Sequence, residues 1–188
     1  MFFTIRELID AIIMSAVVGY IFSDMLARFR PVRDPLLEFR GGFNWENFKF
    51  ALYITVPAIL LHELGHKFFA LSFGMQAVFN AAYGWLGIGV VLKLMNFPFI
   101  FFVPAYVSIA GPGTPLQFAL IAGAGPMVNG LLWAACAIAM RLKPKRRYVP
   151  LIFLTGRINM FLFIFNLIPI PGFDGYQFFS GLLRAFTG

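Results

Sequence analysis

Residues 116–140 run for 25 positions without one charged side chain. As a helix that stretch would rise roughly 37 Å, more than the roughly 30 Å of bilayer hydrocarbon. Three other apolar runs, 5–29 (with an uncharged centre at 11–23), 48–73 and 148–168, are of comparable length. A chain in lipid must satisfy its backbone internally, and runs this long do so as helices. Composition points the same way. Hydrophobic residues make up 60% of the 188 and charged residues 12%, about half the roughly 25% of a soluble domain. So few charges cannot cover a soluble fold, and the same figures exclude disorder, collagen and coiled coil. The expected fold is an all-α, multi-pass membrane protein with about four transmembrane helices in a lipid bilayer, the cell membrane.

The net charge of +7 does not form a nucleic-acid surface. Its basic residues cluster in two connectors, Arg28, Arg30, Arg33, Arg40 and Lys49 in one, Arg141, Lys143, Lys145, Arg146 and Arg147 in the other. Positive charge beside apolar runs reads as membrane-surface anchoring. Recognition motifs and base-stacking platforms are missing, so no nucleic-acid partner is expected. The bias of the two connectors puts both on the cytoplasmic side. The first run has no basic segment before it and no small-residue cleavage site after it, which predicts a retained helix. The connector 30–47 is polar and has room for a short surface helix.

Residues 75–114 are apolar but broken by glycine and proline. Stretches 89–94 and 99–109 are rich in β-branched and aromatic residues, and each is too short to span as a helix. They predict a small membrane-embedded β-hairpin or re-entrant region, tolerable where protein or a water-filled cavity covers it. Residues 175–188 read as a short amphipathic tail. The chain forms a single integral-membrane domain over 1–188. Its catalytic core covers about 48–180, with an N-terminal accessory helix and connector at 1–47.

The chemistry is concentrated in the second run. Glu63 is an acid inside an otherwise apolar span, and such a group marks function by default. It stands in the sequence His62-Glu63-Leu64-Gly65-His66. Two histidines four apart share one helical face and can bind one Zn²⁺, with Glu63 placed as general base toward water. A hydrolytic zinc site needs a third protein ligand. His62 and His66 are the chain's two histidines, Cys136 is its one cysteine, and after Glu46 the acids are Glu63 and Asp174 alone. One cysteine also rules out an internal disulfide and a multi-cysteine zinc site. Asp174 read by itself fits a helix-end cap as well as a ligand. Counted against the missing alternatives, it is the third ligand.

Asp174 lies in Asn166-Leu167-Ile168-Pro169-Ile170-Pro171-Gly172-Phe173-Asp174-Gly175. Together with His62–His66, this stretch resembles the site-2 protease family of intramembrane zinc metalloproteases, whose patterns H-E-x-x-H and N-x-x-P-x-P-x-x-D-G are both matched. Gly125-Pro126-Met127-Val128-Asn129 is similar to the family's G-P-x-x-N. The resemblance covers about residues 50–180. It implies one Zn²⁺ per chain held by His62, His66 and Asp174, with Glu63 activating water. Asn129 and Asn166 would line the site and position the substrate backbone or the oxyanion. The 75–114 region would pair with an extended strand of a transmembrane protein substrate. The implied form is compact, without the family's PDZ-like or CBS-like modules. The family's active site lies nearer the cytoplasm, opposite to where the basic connectors would put it.

A second reading is a membrane protein that binds or transports a metal, and a third is a catalytically inactive relative that binds helices. The other spans offer almost no further ligands for a transport path, and the intact Glu63 argues against inactivity. Arg157, well inside the fourth run, is expected to pair with Asp10 or Asp24 or to snorkel along a cavity. Lys67 is expected to mark the end of the membrane core. The oligomeric state has no signature in the sequence.

Overall fold

The computed structural model describes residues 3–30, 43–97 and 103–187. The chain order is helix α1 (Ile5–Ala27), helix α2 (Trp45–Ser72), strand β1 (Gln76–Ala81), helix α3 (Tyr83–Leu94), strand β2 (Ala105–Ala110), helix α4 (Pro115–Arg141), a short 3-10 turn, helix α5 (Val149–Asn166) and helix α6 (Asp174–Thr187). Among the described residues four helical segments are long and apolar enough to cross a membrane: α1, α2, α4, and α5 with its preceding 3-10 turn. The short surface helix considered for the first connector falls largely on residues 31–42, outside the described residues.

Local chemistry sets the helix starts. Thr4 caps α1 in a reciprocal box with Glu7. Asn44 caps α2 by accepting from the N–H groups of Glu46 and Asn47. Thr114 and Gln117 form a second box at α4, where Pro115 occupies the first helical position. Each device satisfies N–H groups that a helix start leaves without intrahelical partners. Gly74 stops α2 with φ at +77°, a backbone that favours glycine.

Close helix approach relies on small residues. A Cβ at Gly65 of α2 would stand 3.0 Å from the Ala124 carbonyl of α4. One at Gly123 would meet the Phe178 ring of α6 at 2.8 Å, and one at Gly156 of α5 would meet Cys136 of α4 at 3.0 Å. The side chains of Met14, Val18 and Ile21 from α1 pack with Phe79, Ala81, Leu86 and Ala105 in one buried cluster. A second cluster joins Leu26, Ala51, Ile54 and Leu154.

The expected small β-region is present as two antiparallel strands, but they are not joined by a tight turn. Residues 89–94 belong to α3 and not to a strand. Their β-branched side chains do not override helical periodicity, because Leu86 and Val90, one turn apart, pack together on the α1 cluster. The two strands are joined through that helix. They pair antiparallel from Gln76 opposite Ala110 to Ala81 opposite Ala105. Of the stretch 99–109, residues 105–109 do lie in β2.

One edge of this sheet is covered by carboxylates. Phe79 N–H donates to Glu7 Oε1 at 2.7 Å, and Ala81 N–H approaches Asp10 Oδ2 at 3.4 Å. Those N–H groups therefore point away from β2. Ala82 N–H donates to Pro104 O at 3.0 Å, which continues the ladder with the same parity. By antiparallel alternation, Ala105, Val107 and Ile109 turn their backbone groups outward on the far edge. Among the described residues those groups find no hydrogen-bond partner.

Two expected roles are corrected here. Lys67 is not a solvent-facing marker at the end of an apolar run: it is 1% exposed and donates to Glu7 Oε1, and α2 continues beyond it to Ser72. The first turn of α1 lies against it and supplies the counter-charge. Arg157 pairs with neither Asp10 nor Asp24. Asp10 accepts from Tyr83 OH and Asp24 pairs with Lys93, so α3 takes both acids.

Candidate metal centre and active site

Helix α2 carries His62, Glu63 and His66, all buried. The four-residue spacing puts both imidazoles on one face, with Nε2 atoms 3.1 Å apart. Asp174, the first residue of α6, brings Oδ2 to 3.0 Å from His62 Nε2 and 3.3 Å from His66 Nε2. Three ligands from segments 112 positions apart thus meet at one point. Two prolines after α5 prevent that helix from continuing, and the new helix that follows begins with the aspartate.

A chain of hydrogen bonds orients the imidazoles. Asn159 Nδ2 donates to the Thr155 carbonyl at 2.8 Å, so its Oδ1 is the acceptor. Asn129 Nδ2 donates to that Oδ1 and to the Ala58 carbonyl, both at 2.9 Å. Asn129 Oδ1 must then accept from His62 Nδ1–H, at 2.5 Å. His66 Nδ1–H donates to the Ile121 carbonyl at 2.7 Å. In the neutral imidazoles both Nε2 lone pairs are therefore directed at the Asp174 carboxylate. Three electron-rich atoms facing one another are a poor arrangement without a cation and a suitable one around it.

The spacing fits a small metal. Tetrahedral zinc with ligands at roughly 2.0–2.1 Å has ligand–ligand edges of about 3.3 Å, and the three edges here are 3.0, 3.1 and 3.3 Å. Gly125 keeps the space open. A Cβ there would lie 2.7 Å from His62 Nε2 and closer still to His66 Nε2. A carboxyl such as that of Asp174 is ordinarily an anion at neutral pH, the form a cation binds.

A protein of Methanocaldococcus jannaschii named "putative zinc metalloprotease" is 32% identical to this chain over 175 residues, covering 92% of this chain and 83% of the relative. The chain belongs to this zinc metalloprotease family. A second metalloprotease relative, from Synechocystis sp. and carrying the same descriptive name, is 27% identical over 151 residues. That match covers 80% of this chain and 36% of the relative. No protein-family model and no solved structure matches the chain. Zinc is the metalloprotease's cofactor, and His62, His66 and Asp174 are a group able to hold one ion.

The other residues expected at the site fall in different places. Glu63 is adjacent to the cluster in sequence, and its carboxylate accepts no hydrogen bond among the described residues. Asn129 is fully buried, and its amide is engaged by His62, Ala58 and Asn159. It orients a ligand and has no free donor to offer a substrate. Asn166 is half-buried at the end of α5, and its side chain makes no hydrogen bond among the described residues. Asn159 was not singled out by the sequence. Its signal is the one that drew attention to Asn129, an amide within an apolar run. The Ile121 carbonyl had no side-chain signal at all.

Proposed function

We propose that this metalloprotease is an intramembrane enzyme of the site-2 protease type, hydrolysing peptide bonds in or near transmembrane segments of membrane-protein substrates. One observation carries the reading. Two of the three metal-binding side chains and Glu63 belong to a helix long and apolar enough to cross a membrane, and α4, which lies against them, is another. A peptide bond that reaches them does so at membrane depth.

Zinc, when bound by His62, His66 and Asp174, supplies Lewis acidity that favours water as a nucleophile near neutral pH and accommodates charge on the carbonyl oxygen. The rest is work for the chain. Glu63, whose carboxylate has no competing hydrogen bond, takes the proton from the attacking water as the new C–O bond forms. It then passes that proton to the amine as the C–N bond breaks. Asn129 and Asn159 hold His62 in the required tautomer. Asn166 remains a candidate for contact with the substrate backbone.

The sheet offers a means of holding substrate. A transmembrane helix must unwind before it is cut, and its released N–H and C=O groups need partners in a dry setting. The outward groups of Ala105, Val107 and Ile109 fit strand addition. Glu7 and Asp10 cover the opposite edge, so among the described residues β2 is the side open to a strand.

The test uses purified protein in phosphatidylcholine vesicles with a panel of single-span model substrates, each with helix-destabilising residues in its span. Zinc-dependent cuts within or beside the span, lost in Glu63→Gln, are the expected result. Cleavage of a water-soluble unfolded protein with every single-span substrate left intact would overturn the reading.

A further inference from the structure

Arg157 lies eight residues past the start of α5 and nine before its end, about 12–14 Å from either terminus. It is exposed. Its guanidinium sits 5.3 Å from the Phe153 ring centroid, and among the described residues its one polar side-chain contact is Met160 Sδ at 4.0 Å. No described carboxylate is left to pair with it. Glu7 is bound to Lys67, Asp10 to Tyr83, Asp24 to Lys93 and Glu46 to Lys49. Glu63 is buried on α2 beside the histidines, and Asp174 lies against His62 and His66. In a membrane-crossing α5, this is a cation near mid-depth with no counter-charge among the described residues, which is costly unless a partner meets it.

The arginine also borders a cleft of about 160 Å³ between α4 and α5, walled by Trp133, Cys136 and Met140 on one side and Phe153 and Gly156 on the other. We infer that this cleft is a docking groove for a partner transmembrane helix that carries an aspartate or glutamate at mid-depth. The apolar cleft receives one side chain of that helix and Arg157 receives its carboxylate, an interaction strengthened by the low dielectric around it. Charge complementarity selects this occupant. A second copy of the chain has no described carboxylate to offer at that depth, since its exposed acids Asp24 and Glu46 are near helix ends. The inference rests on the membrane reading of the preceding section and not on the protease chemistry.

Cys136 is the chain's one cysteine, and it lines the cleft, so it can report occupancy. The experiment places the full chain in phosphatidylcholine vesicles with single-span oligo-leucine peptides. Each peptide has one cysteine and, one turn away, a central Glu, Gln or Lys. Oxidation then traps a disulfide to Cys136. The Glu peptide is expected to cross-link several-fold more than the Gln peptide. Arg157→Gln should abolish that preference, and Arg157→Glu should transfer it to the Lys peptide. Equal trapping of the Glu and Gln peptides, or a preference that survives Arg157→Gln, would overturn the groove. So would loss of the preference on adding phosphatidylglycerol, which would assign Arg157 to lipid phosphate. Alkaline carbonate washing separates the two levels. Release of the protein would overturn the membrane reading itself, whereas retention without a Glu preference would overturn the groove alone.

Discussion

Lys67 and Glu7 form a buried ion pair between helices α2 and α1, across 60 positions of sequence. Glu7 Oε1 accepts from Lys67 Nζ and from the Phe79 N–H of β1, while Oε2 accepts from Thr4 N–H at 2.8 Å. One carboxylate thus joins the metal-bearing helix, the accessory helix and the sheet. The 1–47 segment, assigned an accessory place by sequence, is fastened to the residue next to His66.

Breaking this pair from one side leaves a buried charge without a partner, a loss of about 3–5 kcal/mol. Lys67→Met should therefore lower the thermal midpoint in detergent strongly. Glu7→Gln with Lys67→Met should recover part of the loss, because the amide can still accept from Phe79. A single Lys67→Met variant as stable as the wild type would remove the pair from the account of the fold.

Elemental mass spectrometry of purified protein should find about one zinc per wild-type chain and little in His66→Ala or Asp174→Ala. Glu63→Gln should keep the metal and lose hydrolysis. Zinc retained in Asp174→Ala would separate α6 from the site.

The orientation of His62 depends on Asn129. Asn129→Leu should weaken zinc affinity by about 10–100-fold in chelator competition. Asn159→Leu should weaken it less, since Asn129 keeps its bond to the Ala58 carbonyl. Equal affinity in all three proteins would show that ligand orientation comes from packing alone.

Gly125→Ala adds one methyl group where the two Nε2 atoms lie. Alanine is a good helix former, so circular dichroism should keep its helical signal. Zinc content and cleavage should both fall. Wild-type zinc occupancy in this variant would mean that the helices part enough to admit the methyl.

Val107→Pro removes an N–H that points away from β1. It should preserve zinc content and the fold, yet reduce cleavage of single-span substrates. Ser108→Pro removes an N–H from the β1–β2 ladder and should destabilise the sheet instead. Undiminished cleavage by Val107→Pro would refute strand addition on β2.

The four long helices were legible because lipid requires about twenty consecutive apolar residues and few sequences meet that by accident. The metal ligands were legible because the chain is so poor in alternatives that counting brought Asp174 to the histidines. Residues 89–94 were misread because β-branched composition reports packing context, and here the neighbour is a helix. Lys67 was misread because its partner lies 60 positions away. From local sequence, a lysine after an apolar run looks like an interface marker. For Arg157 only the expected pairing with Asp10 or Asp24 is overturned, because Tyr83 and Lys93, residues that carried no such expectation, take those acids.

A sheet with one edge already occupied behaves as a ruler with one graduated side. A chain lying along β2 can slide only in steps of two residues without turning its hydrogen-bonding groups away from Ala105, Val107 and Ile109. The cuts made in any one substrate should then fall on alternate peptide bonds, with the intervening bonds spared. Such a product ladder would be set by backbone phase, whatever side chains the substrate carries.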